Sequence, residues 1–192
     1  MQIDMNKLTP MMKQYLEVKN RYKDCILFFR LGDFYEMFFE DALVASKALE
    51  IALTGKACGL EERAPMCGVP FHSANSYISK LVENGYKVAI GEQMEDPSTA
   101  KGIVRREVIR VITPGTVLDG NLLENKKNNY LLSLYKDGTN IGLTYVDIST
   151  GETNATCLNE DKVIEEIAKI HPTEIIINDL DFIEKLRDIA TV

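Results

Sequence analysis

The sequence predicts an α/β protein of mixed α+β type that is divided into two units. Short apolar runs, of the length expected for buried strands, alternate with longer stretches whose apolar residues recur at helical spacing. Residues 115–128 interrupt this alternation with turn-forming and charged residues, which is typical of a connector. We therefore expect one unit over residues 1–114, a linker over 115–128 and a second unit over 129–192.

The first unit is predicted to combine helices with a sheet. Pro10 stands at the first position of a helix that Thr9 precedes as N-cap, and residues 25–30 form an apolar run that predicts a buried strand. Gly32 and Asp33 end that strand. Helical spacing then predicts a helix over about 36–49. The later predicted elements are short strands within loops over 55–70, a helix over 72–84, and strands over 86–90 and 105–113.

The second unit is predicted to begin with a β-hairpin. Residues 130–135 and 141–147 are strand-like and flank a turn-forming segment, 136–140. The predicted elements that follow are a strand over about 152–158, a helix over 162–170, a strand over 174–177 and a helix over 182–189.

Composition and charge exclude several classes of protein. The chain has 192 residues, of which 45% are apolar and 27% charged, so a disordered or fibrous protein is excluded. Residues 1–114 carry 15 basic and 15 acidic residues, whereas residues 115–192 carry 7 and 14, so the net charge of −7 lies entirely in the last part. This balance argues against a general nucleic-acid binder that works by neutralising phosphates.

The four cysteines and the N-terminus indicate the cellular compartment. The cysteines form no CxxC pair and no zinc-ligand spacing with His72 or His171, which favours reduced thiols. Neither an apolar signal core nor a run of about 18 apolar residues is present. We expect a soluble cytoplasmic protein without membrane contact.

The most unusual local feature follows the Gly32-Asp33 turn, where Phe34 and Glu36 lie in a run of aromatic residues and Met. If a helix begins near Asp33, both side chains can project from its first turn. In one interpretation, Phe34 packs inward and Glu36 complements the helix dipole. In the other, Phe34 is a flat apolar wedge that stacks on a base, and Glu36 accepts a hydrogen bond from the edge of that base.

Two further segments are candidates for contact with nucleic acid. Residues 64–73 combine two prolines and a glycine in a rigid turn, within which Met66 could offer an apolar surface to a groove. Lys101, Arg105, Arg106 and Arg110 form a local basic region that is either solvated or in contact with phosphates. In a regular strand Arg106 and Arg110 share one face, and Val104, Val108 and Ile112 also lie on one face.

Catalytic motifs are absent from the sequence. There is no GxxxxGK[ST] phosphate loop, so we expect no ATP hydrolysis by this chain alone, and there is no GxSxG or HExxH. Asp147 ends a predicted strand, where it either caps a turn or binds a metal in a nuclease of ribonuclease-H type, together with Glu152 or Glu165. A third hypothesis is that the acidic second unit is a protein-interaction module.

Several motifs, taken together and in order, resemble the N-terminal part of the MutS family of DNA mismatch-repair proteins. They are TPMMKQY from Thr9, FRLGDFYE from Phe29, PMCGVPFH from Pro65, AIGEQ from Ala89, VITPGT from Val111 and YVDISTG from Tyr145. The resemblance implies a mixed-sheet mismatch-recognition domain with flanking helices. It further implies the start of a connector domain that has a ribonuclease-H-like fold but no nuclease activity.

The resemblance also implies roles and partners. Phe34 matches the residue that enters DNA from the minor groove and stacks on a mispaired or unpaired base, Glu36 matches the carboxylate that hydrogen-bonds this base, and Met66 matches a position near the DNA. The implied partners are mismatched or looped double-stranded DNA, a second copy in the full-length homodimer, and downstream repair proteins such as MutL. ATP and Mg²⁺ belong to the full-length family, so no cofactor, metal or catalytic residue is expected in this chain.

Overall fold

The computed structural model describes residues 4–96, 100, 102–117, 128–187, 189 and 190. Contacts between Cα atoms divide the chain into two compact units, Met1–Ile112 and Thr113–Val192. This division lies two residues before the predicted end of the first domain. Among the described residues, no helix combines the length and the apolar character that a membrane crossing requires.

The first unit is built on a six-stranded mixed sheet. Its strands are β1 (Cys25–Leu31), β2 (Phe34–Phe38), β3 (Thr54–Lys56), β4 (Ala64–Pro70), β5 (Lys87–Gln93) and β6 (Arg106–Ile112). They are arranged in the order β3-β4-β2-β1-β5-β6, in which only β1 and β5 run parallel. Its helices are α1 (Pro10–Arg21), α2 (Phe39–Leu49) and α3 (Ala74–Glu83). The fold class is therefore the predicted mixture of α and β structure.

Helices cover both faces of this sheet. Helix α1 packs on one face, which we call the α1 face, through Met12, Tyr15 and Val18. The buried sheet residues of the α1 face are Cys25, Leu27, Phe29, Phe38, Ala64 and Ala89. On the opposite face, α2 and α3 contact the central strands. Because α1 covers only part of its face, the outer ends of β2 and β4 extend beyond it, with Phe34 exposed and Glu36 and Met66 partly buried.

The helix predicted over about 36–49 begins later than the sequence suggested. Residues Phe34–Phe38 form strand β2, which pairs with β1 on one side and with β4 on the other. Gly32 has a positive φ of 58°, and it forms with Asp33 the two-residue hairpin turn that reverses the chain. A two-residue loop with Gly first matches a type II′ turn, which suits the twist of paired strands. Helix α2 starts only after Phe38.

Strand β6 contains a β-bulge that changes which side chains share a face. The pairing steps from Ile90↔Arg110 to Gly91↔Val108, so that Ile109 is the extra residue in β6. Because a bulge shifts the alternation of side chains by one position, Arg106 and Arg110 lie on opposite faces. The same shift separates Val108 from Ile112. The sequence-based expectation of shared faces was therefore wrong.

The second unit is built on a four-stranded sheet in the order β10-β7-β8-β9, with β10 and β7 parallel. Its elements are β7 (Tyr130–Asp137), β8 (Asn140–Asp147), β9 (Thr153–Asn159), α4 (Glu160–Ile170), β10 (Glu174–Ile177) and α5 (Leu180–Ile183). One sheet face packs with Val163, Ile167, Phe182 and Leu186 into a separate hydrophobic core. The predicted helix over 182–189 is shorter than expected and starts earlier.

Part of the predicted linker belongs to the second unit. The backbone N–H of Gly115 donates to Glu174 Oε2 at 2.9 Å, and a Cβ added to Gly115 would lie 2.8 Å from Glu174 Cβ. Asn129 Nδ2 donates to the carbonyl oxygen of Pro114 at 3.0 Å. Residues Pro114–Thr116 thus contact β7 and β10 of this sheet, whereas residues 118–127 of the predicted linker lie outside the described residues.

Candidate nucleic-acid interface

Phe34 is the first residue of β2, directly after the hairpin turn, and its side chain is 47% exposed. It pairs with Leu31 on β1 and with Pro70 on β4, so its backbone is held from both sides. The inward-packing interpretation of Phe34 is therefore wrong. An aromatic ring that is half in water and carried on a doubly paired strand is positioned to meet a partner without ordering a loop.

Glu36 lies two residues further along β2 and on the same face as Phe34, because side chains alternate along a strand. Its carboxylate forms an ion pair with Lys56 Nζ of β3. The side chain of Glu36 is 18% exposed and that of Lys56 is 34% exposed. Since Glu36 lies in a strand, the interpretation in which it complements a helix dipole is also wrong.

Met66 completes this arrangement from β4. It pairs with Phe38 in the register of β2 and β4, so it lies on the α1 face together with Phe34 and Glu36. Its side chain is partly buried and packs against the buried residues of the α1 face. The structure thus places all three sequence-predicted residues on one face of the sheet, where β2 and β4 meet. We call the surface formed by Phe34, Glu36, Met66 and Lys56 the wedge surface.

Residues on the opposite face support the hairpin that carries Phe34. The Arg30 guanidinium stacks 3.7 Å from the centroid of the Phe71 ring and donates to the carbonyl oxygen of Gly32. The Tyr35 hydroxyl donates to Glu92, and burial, followed by this carboxylate, raises the pKa of Tyr35 to about 12. Sequence reasoning did not identify Arg30 or Tyr35 in this role, because no local motif shows which distant groups they meet.

The basic region divides into structural and exposed residues. Arg106 is buried and donates to the carbonyl oxygens of Arg30 and Val104 and to Gln14 Oε1. Desolvation lowers the pKa of its guanidinium. Its hydrogen bonds hold α1 and β6 to β1, so it is not a free phosphate ligand. Arg105 and Arg110 are exposed, and Lys101 lies outside the described residues.

Comparison with known proteins gives a consistent result for both units. A family model described as MutS domain I matches residues 9–121, and one described as MutS domain II matches residues 129–188. The chain belongs to the MutS family. Its hairpin, wedge surface and six-stranded sheet all lie in the part that matches MutS domain I, and the four-stranded sheet lies in the part that matches MutS domain II.

Curated relatives named DNA mismatch repair protein MutS are similar over most of the chain. The one from Acetivibrio thermocellus is 65% identical over 178 residues, which cover 91% of this chain and 20% of the relative. Those from Alkaliphilus oremlandii and Clostridium botulinum are 64% and 63% identical over 176 and 174 residues, each covering 90% of this chain. The chain therefore spans about a fifth of the length of the MutS relatives it matches.

In the part that matches MutS domain II, Asp147 is engaged in a turn. Its Oδ1 accepts from the backbone N–H of Ser149 at 2.9 Å and from the Ser149 hydroxyl at 2.6 Å, and its Oδ2 accepts from the N–H of Asn129 at 3.2 Å. The hydrogen bond from the Ser149 hydroxyl is the main reason why the pKa of Asp147 is lowered. These contacts confirm the turn-capping interpretation. Among the described residues, no three His, Cys, Asp or Glu side chains form a group that could hold a metal ion.

Proposed function

We propose that this chain binds double-stranded DNA at mispaired or unpaired bases and so recognises the substrate of mismatch repair. The observation that carries the proposal is the exposed ring of Phe34 at the tip of a rigid hairpin, with the Glu36 carboxylate beside it on the same sheet face. Membership of the MutS family supports this assignment, since mismatch repair is what the names of the relatives describe.

In this proposal Phe34 enters the duplex from the minor groove and stacks on the mispaired base. Insertion must unstack a base step and bend the duplex, at a cost on the order of a few kcal/mol. At a matched base pair the full cost of unstacking and bending opposes insertion, because stacking and hydrogen bonds are intact. At a mispair part of these interactions is already lost, so the same distortion costs less. Stacking on the ring returns roughly 1–3 kcal/mol for any base, which suits a sensor of many mispairs.

Glu36 checks the base on which Phe34 stacks. A carboxylate near DNA is repelled by phosphates, so it favours binding only where a base donor faces it. Met66 supplies apolar contact at the edge of the same surface. Selectivity therefore comes mainly from how easily the duplex deforms, and the carboxylate adds a test of hydrogen bonding.

The first prediction is that Phe34→Ala abolishes the preference of this chain for mismatched DNA. NMR chemical-shift titrations of the labelled chain measure even weak dissociation constants, with a duplex that carries one mispair and the same duplex fully matched. Loss of stacking should remove roughly 1–3 kcal/mol at the mispair and little at the matched duplex. Tyr135→Ala, which removes an exposed ring from β7, is the matched control. Equal ratios of the two constants in wild type and Phe34→Ala would refute the proposal.

We propose that the partners and cofactors of full-length MutS act beyond the DNA contact made here. ATP and Mg²⁺, the homodimer and MutL are assigned to the whole protein by resemblance, and the sequence of this chain contains no phosphate-loop motif. The ribonuclease-H alternative gains no support from Asp147, because both of its carboxylate oxygens accept hydrogen bonds from its own turn and from Asn129.

A further inference from the structure

The proposed function leaves one member of the wedge surface without a role. Lys56, on the edge strand β3, reaches across β4 to the carboxylate of Glu36, and its Nζ lies 5.5 Å from the centroid of the Phe38 ring. Lys56 is therefore the only positive group that the structure pairs with Glu36 among the described residues.

The sheet is shaped to allow this long-range contact. The residue opposite Glu36 on β4 is Gly68. A Cβ at Gly68 would lie 3.4 Å from Glu36 Cγ, in ordinary van der Waals contact, and 3.2 Å from the carbonyl oxygen of Tyr35. A side chain longer than that of Ala would therefore compete with Glu36 for the space over β4. With glycine at this position, Glu36 lies flat across β4, within reach of the ammonium group that extends from β3.

The Lys56–Glu36 pair differs from an ordinary surface ion pair. In the pair between Lys80 and Glu50, with a distance of 3.4 Å, the carboxylate side chain is 83% exposed. Glu36 is only 18% exposed, and it stands beside the ring that is proposed to enter DNA. Since solvent screens a partly buried pair less, its partner has more influence on what the carboxylate can bind.

We propose that Lys56 is the counter-ion that Glu36 exchanges for a base donor at a mispair, and that the cost of this exchange limits the preference for mismatched DNA. This inference rests on the proposed function. On a matched duplex Glu36 keeps its ion pair with Lys56, and this pair presents no net charge to the phosphates. At a mispair the carboxylate must leave Lys56 before it can turn to the base.

The exchange has a defined consequence for Lys56→Met, which keeps the aliphatic stem and removes the charge. On matched DNA, Glu36 would then face the phosphates without a counter-ion, so binding weakens. On mismatched DNA the carboxylate no longer has to leave Lys56 in order to bond the base. The ratio of the matched to the mismatched dissociation constant should therefore rise by about two- to fivefold, the range for a partly exposed ion pair.

A double-mutant cycle tests whether Lys56 acts through Glu36. The ratio of dissociation constants is measured for wild type, Lys56→Met, Glu36→Gln and the double variant, by NMR titration of the 192-residue chain with matched and mismatched duplexes. We expect Lys56→Met to raise the ratio in the wild-type background and to leave it unchanged in the Glu36→Gln background. Lys56→Arg keeps the charge and should restore the wild-type ratio. Lys80→Met, which breaks the exposed pair with Glu50, should change neither background.

Each other result overturns the inference. If Lys56→Met shifts the ratio equally in both backgrounds, Lys56 is a phosphate ligand that is independent of Glu36. If the ratio does not change in either background, Lys56 has no part in discrimination. Phe34→Ala separates this failure from failure of the proposed function. If Phe34→Ala still removes the mismatch preference, only the proposed role of Lys56 is refuted. If the preference survives Phe34→Ala, the proposed function and the role of Lys56 are both refuted.

Discussion

At the residue scale, the exposure of Phe34 has a measurable cost that the fold alone does not require. Complete burial of a side chain of this size is worth about 1.5–3 kcal/mol, so leaving about half of the ring in water gives up roughly 1 kcal/mol. By the same arithmetic, replacing Phe34 by Ala removes the buried half of the ring and should lower the free energy of unfolding by only about 1 kcal/mol. A loss of mismatch preference in that variant can therefore be attributed to the missing ring and not to a damaged fold.

Asp147 gives a prediction about pH at the same scale. Hydrogen bonds to its ionised carboxylate lower its pKa in the folded chain. A carboxyl group whose pKa is lower when folded stabilises the fold fully above its unfolded pKa of about 3.9, and the stabilisation is lost as pH falls through the folded pKa. Asp147→Asn should therefore lower the free energy of unfolding by about 1–2 kcal/mol at pH 7, through loss of charge-assisted hydrogen bonds.

Urea denaturation of wild type and Asp147→Asn between pH 7 and pH 3 checks this prediction. The difference in free energy should be constant near neutral pH and should shrink once the pH drops below about 4. Asp137→Asn, at an exposed position at the end of β7, is the control and should show little difference at any pH. A destabilisation by Asp147→Asn that stayed the same down to pH 3 would show that charge on Asp147 does not matter.

At the element scale, the bulge in β6 decides which arginine is part of the fold. It places Arg106 on the α1 face, where the guanidinium lies 5.1 Å from the centroid of the Phe29 ring and bonds Gln14 and two carbonyl oxygens. Arg106→Met leaves these buried acceptors without their donor. We expect it to lower the free energy of unfolding by about 2–4 kcal/mol, as measured by urea denaturation.

Arg110→Met provides the matched control on the same strand, beyond the bulge. Arg110 is exposed, and its removal should change the free energy of unfolding by less than about 0.5 kcal/mol. Similar destabilisation by both substitutions would contradict the assignment of Arg106 to the fold and of Arg110 to the surface.

The same elements show how far the sequence alone could lead. Helix α1, strands β1 and β5, and the hairpin of β7 and β8 follow from local signals, namely a Pro at the first helical position, apolar runs and a Gly-containing turn. The aromatic residues at the end of strand β2 also fit helical spacing, so the sequence predicts the start of a helix where the structure has a strand. Pairing with β1 and β4 decides its conformation, and such pairing between distant segments leaves no local pattern.

The candidate site shows the same division. Phe34, Glu36 and Met66 could be singled out by residue type and resemblance, and the structure places them on one face. Lys56 could not be found, because it is 20 residues from Glu36 in sequence and meets it only through the register of three strands. The bulge that places Arg106 and Arg110 on opposite faces likewise depends on how β6 pairs with β5. The sequence of β6 alone does not show it.

At the scale of the whole molecule, the distribution of charge disfavours strong non-specific binding of DNA. Residues 1–114 have equal numbers of basic and acidic residues, and the net charge of −7 lies in residues 115–192. Arg30 and Arg106 are held by contacts within the first unit, and Lys56 is paired with Glu36. Because as many acidic as basic residues lie in residues 1–114, attraction to phosphates is weak, and affinity must come mainly from stacking and from the deformability of the duplex.

This distribution predicts weak binding with a shallow dependence on salt. For each phosphate that is neutralised, the logarithm of the binding constant falls by about 0.9 per tenfold rise in salt. A chain without net positive charge should therefore show a slope of about −2 or less in magnitude. Fluorescence anisotropy on a mismatched duplex across a salt series measures this slope. Arg110→Met removes an exposed cation and should reduce it by about one unit if Arg110 contacts a phosphate. Nanomolar affinity with a steep slope would show instead that phosphate contacts dominate, because stacking by Phe34 contributes no dependence on salt.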